Sequence, residues 1–226
     1  MSLFAISDLH LSFGADKPMN IFKGWDNYVE KIEKNWRRIV TDGDTVVLPG
    51  DFSWGLKLEE TKKDFEFLNA LPGRKIILKG NHDLWWGTVK KLKEFFEENG
   101  FNTVDVVFNN ADVAENCAIA GTRGWFYDDA KNEKILLREA ARLDTSLTAA
   151  EETGLPVKAF LHYPPVYGDM VCHEIFDVIK KHGISEVWYG HIHGSGIRNI
   201  KKEYDGVKFR LVSCDCVDFT PVLVCK

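Results

Sequence analysis

Carboxylate and imidazole side chains are concentrated in short polar segments that follow runs of apolar, strand-forming residues. The densest segment is Gly80-Asn81-His82-Asp83, which comes shortly after the apolar run 76–78. The other segments contribute the following side chains: Asp8, His10, Asp51, His162, His191 and His193. Carboxylates together with neutral imidazoles suit divalent transition metals such as Mn²⁺, Fe or Zn²⁺. These residue types therefore predict a metal site.

The number of candidate ligands exceeds what a single ion needs. Seven residues qualify: Asp8, His10, Asp51, Asn81, His162, His191 and His193. A second ion requires a ligand that it shares with the first, and a carboxylate such as Asp51 can form that bridge. The five cysteines stand apart from this set. A structural zinc site is therefore disfavoured, because such sites usually contain thiolates.

Each polar segment alone has an ordinary structural explanation. Gly50-Asp51 is typical of a turn, Asn81 after a glycine is a common loop residue, and a single histidine such as His162 is usually packed or exposed. Ordinary turns do not explain the segments taken together, because five separate turns would each have to contain residues that can bind a metal by chance. We therefore interpret the segments as parts of one site.

Short strands must position these segments. The predicted strands that end just before them are 3–7, 45–48, 75–78, 157–161 and 186–189. Ligands of open α/β sheets bind beyond the carboxyl ends of the strands, so strands of common direction would bring all five segments to one crevice. On an extended backbone, Asp8 and His10 would point the same way, and His191 and His193 would repeat that geometry.

Amphipathic helices alternate with the strands. The predicted helices are 25–40, 58–71, 88–98, 132–152 and 174–182, and the further predicted strands are 103–108, 113–120, 207–213 and 217–224. This alternation predicts an α/β fold with a more antiparallel tail, in which helices cover one sheet or two packed sheets. The chain contains no repeat and no linker, so we expect a single domain over residues 1–226.

Composition restricts the setting in which the protein acts. The net charge of −5 disfavours non-specific binding to nucleic acid or to an anionic membrane. No apolar run approaches the length of a membrane span, and the N-terminal segment is unlike a signal peptide. Five cysteines without regular spacing favour reduced thiols and a cytoplasmic location. We interpret Cys214 and Cys216 as strand residues.

The polar segments resemble the motifs of the calcineurin-like metallophosphoesterases. The matching motifs are Asp8-x-His10, Gly50-Asp51, Gly80-Asn81-His82-Asp83, His162 and Gly190-His191-x-His193, in this order over residues 8–193. Within that superfamily the chain looks like the small bacterial predicted-phosphohydrolase branch. The resemblance implies a four-layer α/β/β/α sandwich of two mixed sheets, with a two-metal site at the ends of the strands.

The resemblance also implies a role for each motif residue. One ion would be held by Asp8, His10, Asp51 and His193, and the other by Asp51, Asn81, His162 and His191. His82 would be the catalytic histidine beside the phosphate, with Asp83 orienting its ring. The metals would be Mn, Fe or Zn, with Mn favoured. The second motif departs from the common Gly-Asp-x-x-Asp pattern, since Trp54 occupies its last position.

The implied activity is hydrolysis of a small phosphomonoester or phosphodiester by a hydroxide that bridges the two ions. The alternative is a catalytically idle protein of the same fold that serves as a binding scaffold. The sequence leaves open the natural substrate, the preference for monoesters or diesters, and the oligomeric state.

Residues around the predicted site allow two interpretations each. Arg123, in the segment 121–127, is a candidate for gripping a phosphate or carboxylate, and a solvated surface arginine is the alternative. Several aromatic residues could form a wall for a flat substrate group or could pack in the core: Trp54, Trp85, Trp86, Trp125 and Tyr163. We expect core packing for at least half of them.

Overall fold

The computed structural model describes residues 1–126 and 133–226. The strands are β1 (Leu3–Ala5), β2 (Thr45–Pro49), β3 (Arg74–Leu78), β4 (Val104–Val106), β5 (Ala111–Ala114), β6 (Cys117–Thr122), β7 (Val157–Leu161), β8 (Val166–Tyr167), β9 (Met170–Val171), β10 (Glu186–Tyr189), β11 (Glu203–Tyr204), β12 (Val207–Leu211) and β13 (Val222–Cys225). The α-helices are α1 (Tyr28–Ile39), α2 (Lys62–Ala70), α3 (Val89–Asn99), α4 (Glu133–Glu151) and α5 (His173–Lys181). The short 3₁₀ helices are Met19–Ile21, Leu58–Thr61 and Gly194–Asn199.

Two mixed sheets form the centre of the molecule. The first sheet has the strand order β13-β1-β2-β3-β4, in which β13 runs antiparallel to β1 and the other neighbours are parallel. The second sheet has the order β11-β12-β10-β7-β6-β5, with parallel pairing from β12 to β6 and antiparallel strands at both edges. The five strands that precede the polar segments are thus three parallel strands of one sheet and two of the other.

Three layers of apolar side chains hold the sheets and helices together. Alternate residues of a strand face opposite sides of its sheet, so Phe4 packs against α1 to α3 whereas Leu3 faces the second sheet. The layer between the sheets also contains Ile76, Phe160 and Trp188. The third layer lies between the second sheet and helices α4 and α5. The predicted fold class, a four-layer α/β/β/α sandwich, is confirmed.

The carboxyl ends of the two sheets meet. The Ser7 amide donates a hydrogen bond to the Val212 carbonyl at 2.8 Å, and the Cys214 amide donates to the Ser7 carbonyl at 3.0 Å. The amide of Gly190, after β10, donates to the carbonyl of His162, after β7. These backbone contacts bring the polar segments of both sheets to one place.

The predicted strand 113–120 is wrong, because the chain turns within it. Glu115 and Asn116 have φ values of 51° and 58°, and this left-handed pair makes the tight turn of the β5–β6 hairpin. Since the turn contains no glycine, the segment resembled a continuous strand.

The predicted strand 217–224 is also too long. Asp218 and Phe219 have positive φ values, and β13 begins only at Val222. The predicted helix 25–40 begins three residues later than expected, after Asn27 in a left-handed conformation. The predicted helix start at Asn132 and the residue Tyr127 lie outside the described residues.

No helix in residues 1–126 or 133–226 has both the length and the apolar character needed to cross a bilayer.

Candidate metal centre

Backbone hydrogen bonds join the segments after β1 and β2. The amides of Asp8, His10 and Leu11 donate to the carbonyls of Gly50, Asp51 and Phe52 at 3.0 Å each. Asp8 and His10 have φ values of 60° and 46°, so the backbone from Asp8 to His10 is not extended. This contradicts the expectation that the two side chains point the same way because they lie on an extended strand. Leu9 is nevertheless fully buried between them.

Four of the seven candidate ligands have left-handed backbones. The φ values are 60° for Asp8, 46° for His10, 53° for Asp51 and 72° for His191. A positive φ costs free energy in residues other than glycine, although Asp and His tolerate it better than most. Conformations of this kind cluster at functional sites, where the surrounding structure supports the strain.

Glycines allow the segments to approach each other closely. A Cβ atom on Gly80 would collide with the backbone amide and the carboxylate of Asp51. A Cβ atom on Gly190 would collide with the side chains of Ser7 and Asp8. The glycine of each motif is therefore needed to keep a carboxylate in place.

The first group of donor atoms contains Asp8, His10 and His193, which come within 4.8 Å of one another. Asp8 is fully buried, and its Oδ1 lies 3.3 Å from His193 Nε2. Its carboxylate also accepts hydrogen bonds from the amide of His191 and from the hydroxyl of Ser213, the latter at 2.8 Å. These bonds fix the Asp8 carboxylate in one orientation.

The second group lies around Asp51. Oδ2 of Asp51 is 3.4 Å from His162 Nε2 and 3.9 Å from His10 Nε2, so this carboxylate lies between the two groups. Oδ1 of Asn81 lies 2.6 Å from His162 Nε2 and 3.0 Å from His191 Nδ1. The structure thus brings all seven candidate ligands together.

The carboxylates control the protonation of the neighbouring imidazoles. Burial would lower the pKa of His162 and His193, but attraction to Asp51 raises that of His162 to about 9, and attraction to Asp8 raises that of His193 to about 10. Burial would raise the pKa of Asp8, yet the surrounding histidines hold it well below its usual range. The two buried carboxylates therefore attract positive charge to this place, here supplied by the protonated imidazoles.

The donor atoms fit the metal ions that the sequence implies. Nε2 of His193 is buried and makes no well-aligned hydrogen bond among the described residues, although the Asp8 carboxylate lies 3.3 Å away. Buried polar atoms are normally satisfied, and a metal ion is one partner that satisfies a ring nitrogen. Carboxylate, amide and imidazole donors at this spacing are suitable for divalent transition metals.

The carboxylate of Asp83 faces backbone amides, and this geometry does not support its expected role in orienting the ring of His82. Oδ2 accepts from the amides of Gly80 and Asp51 at 2.7 Å and 2.9 Å, and Oδ1 accepts from the amide of Phe52 at 2.9 Å. No hydrogen bond joins it to the ring of His82 among the described contacts. Asp83 is fully buried, and burial together with the charge of Asp51 raises its pKa to about 7. It links the segments that carry Asp51 and Asn81.

Replacement of Asp83 by alanine is expected to destabilise the fold and to weaken metal binding together. Each buried amide left without a partner costs about 1–3 kcal/mol, so the three shortest bonds predict a loss of at least about 3 kcal/mol in the free energy of unfolding. Urea titration and metal analysis of the purified variant would measure both effects. A variant of normal stability that only turns over slowly would instead support the original role, orientation of His82.

The ring of His82 lies on the open side of the site. The residue is exposed, and its backbone amide donates to Asp51 Oδ1 at 2.8 Å. Its ring centroid is 4.5 Å from that of Trp54 and 5.8 Å from that of His10. Trp54 in turn stacks on His10 at 4.8 Å with an interplanar angle of 19°. His82 is therefore accessible to a substrate that reaches the metal ligands.

Two residues that the sequence did not indicate border the site. Asp215 Oδ1 lies 2.8 Å from His193 Nδ1, which is the kind of outer contact that orients a metal-binding histidine. Trp25 lies 5.9 Å from both His10 and His193 between ring centroids. Asp215 follows β12, but the cysteines on either side of it were interpreted as strand residues, so the sequence analysis expected no site residue there.

The side chain of Arg123 is engaged by Glu139 and Trp125. Its Nη2 lies 3.4 Å from Glu139, and its guanidinium lies over the ring of Trp125 at 4.2 Å. Its side chain is 16% exposed, which contradicts a solvated surface arginine. The Arg123 carbonyl accepts from the amides of His162 and Tyr163, so the backbone supports the His162 segment. Phosphate binding by Arg123 stays a prediction.

The aromatic residues divide as expected. Trp85, Trp86 and Tyr163 are buried in the apolar layers. Trp125 packs partly buried against Tyr163 at 5.5 Å. Trp54 is the member of the predicted set that contacts both His10 and His82.

Comparison with known proteins agrees with this geometry. The sequence model of the calcineurin-like phosphoesterases matches residues 1–195, so the chain belongs to that family. The family supports a hydrolase that acts on phosphoesters with divalent metals, and the candidate ligand groups are consistent with this. None of the curated proteins matches the chain.

Solved structures share the fold at low sequence identity. A protein of unknown function from Aquifex aeolicus has a TM-score of 0.52 at 19% identity over 98% of this chain and 95% of that chain. A Thermus thermophilus protein has a TM-score of 0.62 at 15% identity over 99% of this chain and 97% of that chain. The phosphopantetheinyl hydrolase of Mycobacterium tuberculosis has a TM-score of 0.54 at 16% identity over 94% of this chain and 88% of that chain. These identities support the shared fold alone.

Proposed function

We propose that the protein is a two-metal phosphohydrolase that cleaves a small phosphomonoester or phosphodiester. The observation that carries this proposal is the position of Asp51, whose Oδ2 lies 3.4 Å from His162 and 3.9 Å from His10. A carboxylate between two groups of imidazoles is suited to be shared by two cations. The whole chain, residues 1–226, would act as one domain.

The proposed ligands follow the two groups of donor atoms. One ion would be held by Asp8, His10, Asp51 and His193, and the other by Asp51, Asn81, His162 and His191. When bound, the ions would polarise the phosphoryl oxygens and make a water molecule acidic enough to act as the nucleophile near neutral pH. Mn²⁺ is our first choice, although Fe and Zn²⁺ accept the same donors.

His82 would act on the leaving group. Its exposed ring lies beside the ligand His10, at 5.8 Å between centroids, and can reach a substrate bound at the ligands. A protonated imidazole at this place would donate its proton to the departing alcohol oxygen, which is general acid catalysis. The departing oxygen lies opposite the attacking water in an in-line displacement, so His82 would meet the substrate on the side of phosphorus that faces away from the nucleophile.

The neighbouring folds and the thiols support the chemical class and the setting. One structural neighbour is named a phosphopantetheinyl hydrolase, which is consistent with the proposal of a hydrolase. All five cysteines are free thiols, as in proteins of a reducing compartment, so we propose a cytoplasmic location. Arg123 would assist only if the substrate extends towards Trp125.

A panel of metals and substrates tests the proposed function. The metal-free protein is reconstituted with Mn²⁺, Fe²⁺ or Zn²⁺ and assayed with aryl and alkyl monoesters and diesters, cyclic nucleotides and phospholipid headgroup diesters. We expect bound metal close to two ions per chain and metal-dependent release of an alcohol from at least one class. Full metal binding without turnover of any substrate would favour the alternative, a catalytically idle scaffold.

A further inference from the structure

A cleft of about 470 Å³ opens beside the candidate metal centre. It is lined by the three histidines His10, His82 and His193 and by the aromatic residues Phe22, Trp25 and Trp54. Its volume is within the range of roughly 300–1,000 Å³ that is usual for small-molecule sites. The cleft is therefore large enough for an organic group attached to a phosphate at the metal ligands.

Aromatic surface is available in this cleft. Phe22 is 52% exposed and makes no ring contact with another aromatic side chain in residues 1–126 or 133–226. Trp54 is half-buried, and it is fixed by stacking on His10 and by contact between its Nε1 and the sulfur of Met19 at 3.3 Å. Phe22 and Trp54 therefore both offer aromatic surface to a group bound in the cleft.

Positive charge lies at the same cleft. Lys23 lines it, and Nζ of Lys17 lies 5.7 Å from the ring centroid of Trp54. The acidic residue of the cleft, Asp215, is occupied by His193 and the amide of Gly194. In a chain of net charge −5, two lysines at this place favour an anionic ligand that also has an apolar part.

We propose that this cleft binds the leaving alcohol of the substrate and that this alcohol carries a flat aromatic ring. The inference rests on the proposed function, in which His82 protonates the leaving oxygen. His82 lies 4.5 Å from Trp54 between ring centroids, so the group attached to that oxygen extends along Trp54. Phe22 would supply further apolar surface, and Lys17 and Lys23 would add positive charge at the cleft that favours a negatively charged ester.

Matched esters test this inference. Benzyl phosphate and cyclohexylmethyl phosphate are compared as monoesters and as methyl diesters, because their alcohols are similar in size and acidity but only one is flat. We expect kcat/KM to be about tenfold higher for the benzyl ester, the effect of one stacked ring. The ratio of the two values within one protein sample does not depend on how much of that sample is active.

Variants assign the preference to particular residues. Trp54→Ala and Phe22→Ala are expected to bring the ratio of the two kcat/KM values, benzyl over cyclohexylmethyl, close to one. Trp54→Phe is expected to restore most of the preference for the benzyl ester. Tyr204→Ala is the control, because Tyr204 is a 39% exposed aromatic residue in β11, at the opposite end of the second sheet. A ratio near one in the wild type, or an unchanged ratio in Trp54→Ala, would overturn the inference.

Binding without turnover separates this inference from the proposed function. Calorimetry with benzylphosphonate and cyclohexylmethylphosphonate, which contain a P–C bond in place of the ester, needs no hydrolysis. If no ester is cleaved, the proposed function fails, and tighter binding of benzylphosphonate that Trp54→Ala abolishes still supports the aromatic site. If esters are cleaved but the two phosphonates bind equally, the aromatic site is refuted and the proposed function stands.

Discussion

Asp51→Asn is expected to lose metal and activity together. Asparagine keeps the shape of the side chain and an oxygen that can accept from the His82 amide, a bond of 2.8 Å in the native chain. It removes the negative charge between His10 and His162. Loss of an outer-shell partner typically costs 10–100-fold in metal affinity, so loss of a shared ligand should cost more than about 100-fold. The turnover rate should fall in proportion to the loss of bound metal.

Metal content and stability have to be measured on the same sample. Elemental analysis after dialysis against Mn²⁺ gives the number of ions, and the assay uses the best substrate of the panel. Asp105→Asn is a matched control, because Asp105 pairs with Arg74 on β3 and its side chain is 46% exposed. Two ions per chain with intact turnover in Asp51→Asn would refute the shared-ligand assignment.

The central strands were predictable because they are buried on both faces. Strands β2, β3 and β10 appear in the sequence as continuous apolar runs that end abruptly at polar residues, and their observed bounds differ by at most one residue from those expected. The two-residue strands β8, β9 and β11 have no such signal. The turn at Glu115-Asn116 was missed because its left-handed backbone depends on the pairing of β5 with β6.

The candidate ligands could be identified from the sequence because they are carboxylate, amide and imidazole residues that follow predicted strands. Their assignment to metal ions stays a prediction. Asp215 and Trp25 were not predictable in the same way. Asp215 reaches His193 because β12 lies beside β10 in the second sheet, and no local pattern reveals that pairing. Trp25 resembled the first turn of a helix, yet the helix begins at Tyr28 and leaves Trp25 beside the site.

The position of the Asp83 carboxylate, away from the ring of His82, has a physical cause. Adjacent residues on a turn do not face each other, so His82 and Asp83 point in opposite directions: His82 is exposed and Asp83 is fully buried. The carboxylate is then surrounded by the amides of the segments that carry the candidate ligands. The motif thus contains an exposed imidazole, which we propose acts on the substrate, and a buried carboxylate that binds the backbone.

His82→Ala is expected to keep both metal ions and to slow the hydrolysis of an alkyl ester by about 10²- to 10⁴-fold, the usual contribution of general acid catalysis. The ring is exposed, and the contact with Asp51 is made by the backbone amide, which alanine retains. The fold and the ligand positions should therefore be unaffected. Urea titration and metal analysis should agree with the wild type.

The choice of leaving group makes the role of His82 testable. A 4-nitrophenolate leaves without a proton, so an aryl ester should be affected much less than an alkyl ester if His82 donates a proton. An equal loss on both esters would indicate charge stabilisation at the phosphoryl group instead. Leu84→Ala is the control, since Leu84 is 64% exposed in the same segment. Alkyl ester hydrolysis near the wild-type rate in His82→Ala would remove the proposed acid, and the departing oxygen would then have to take its proton from water.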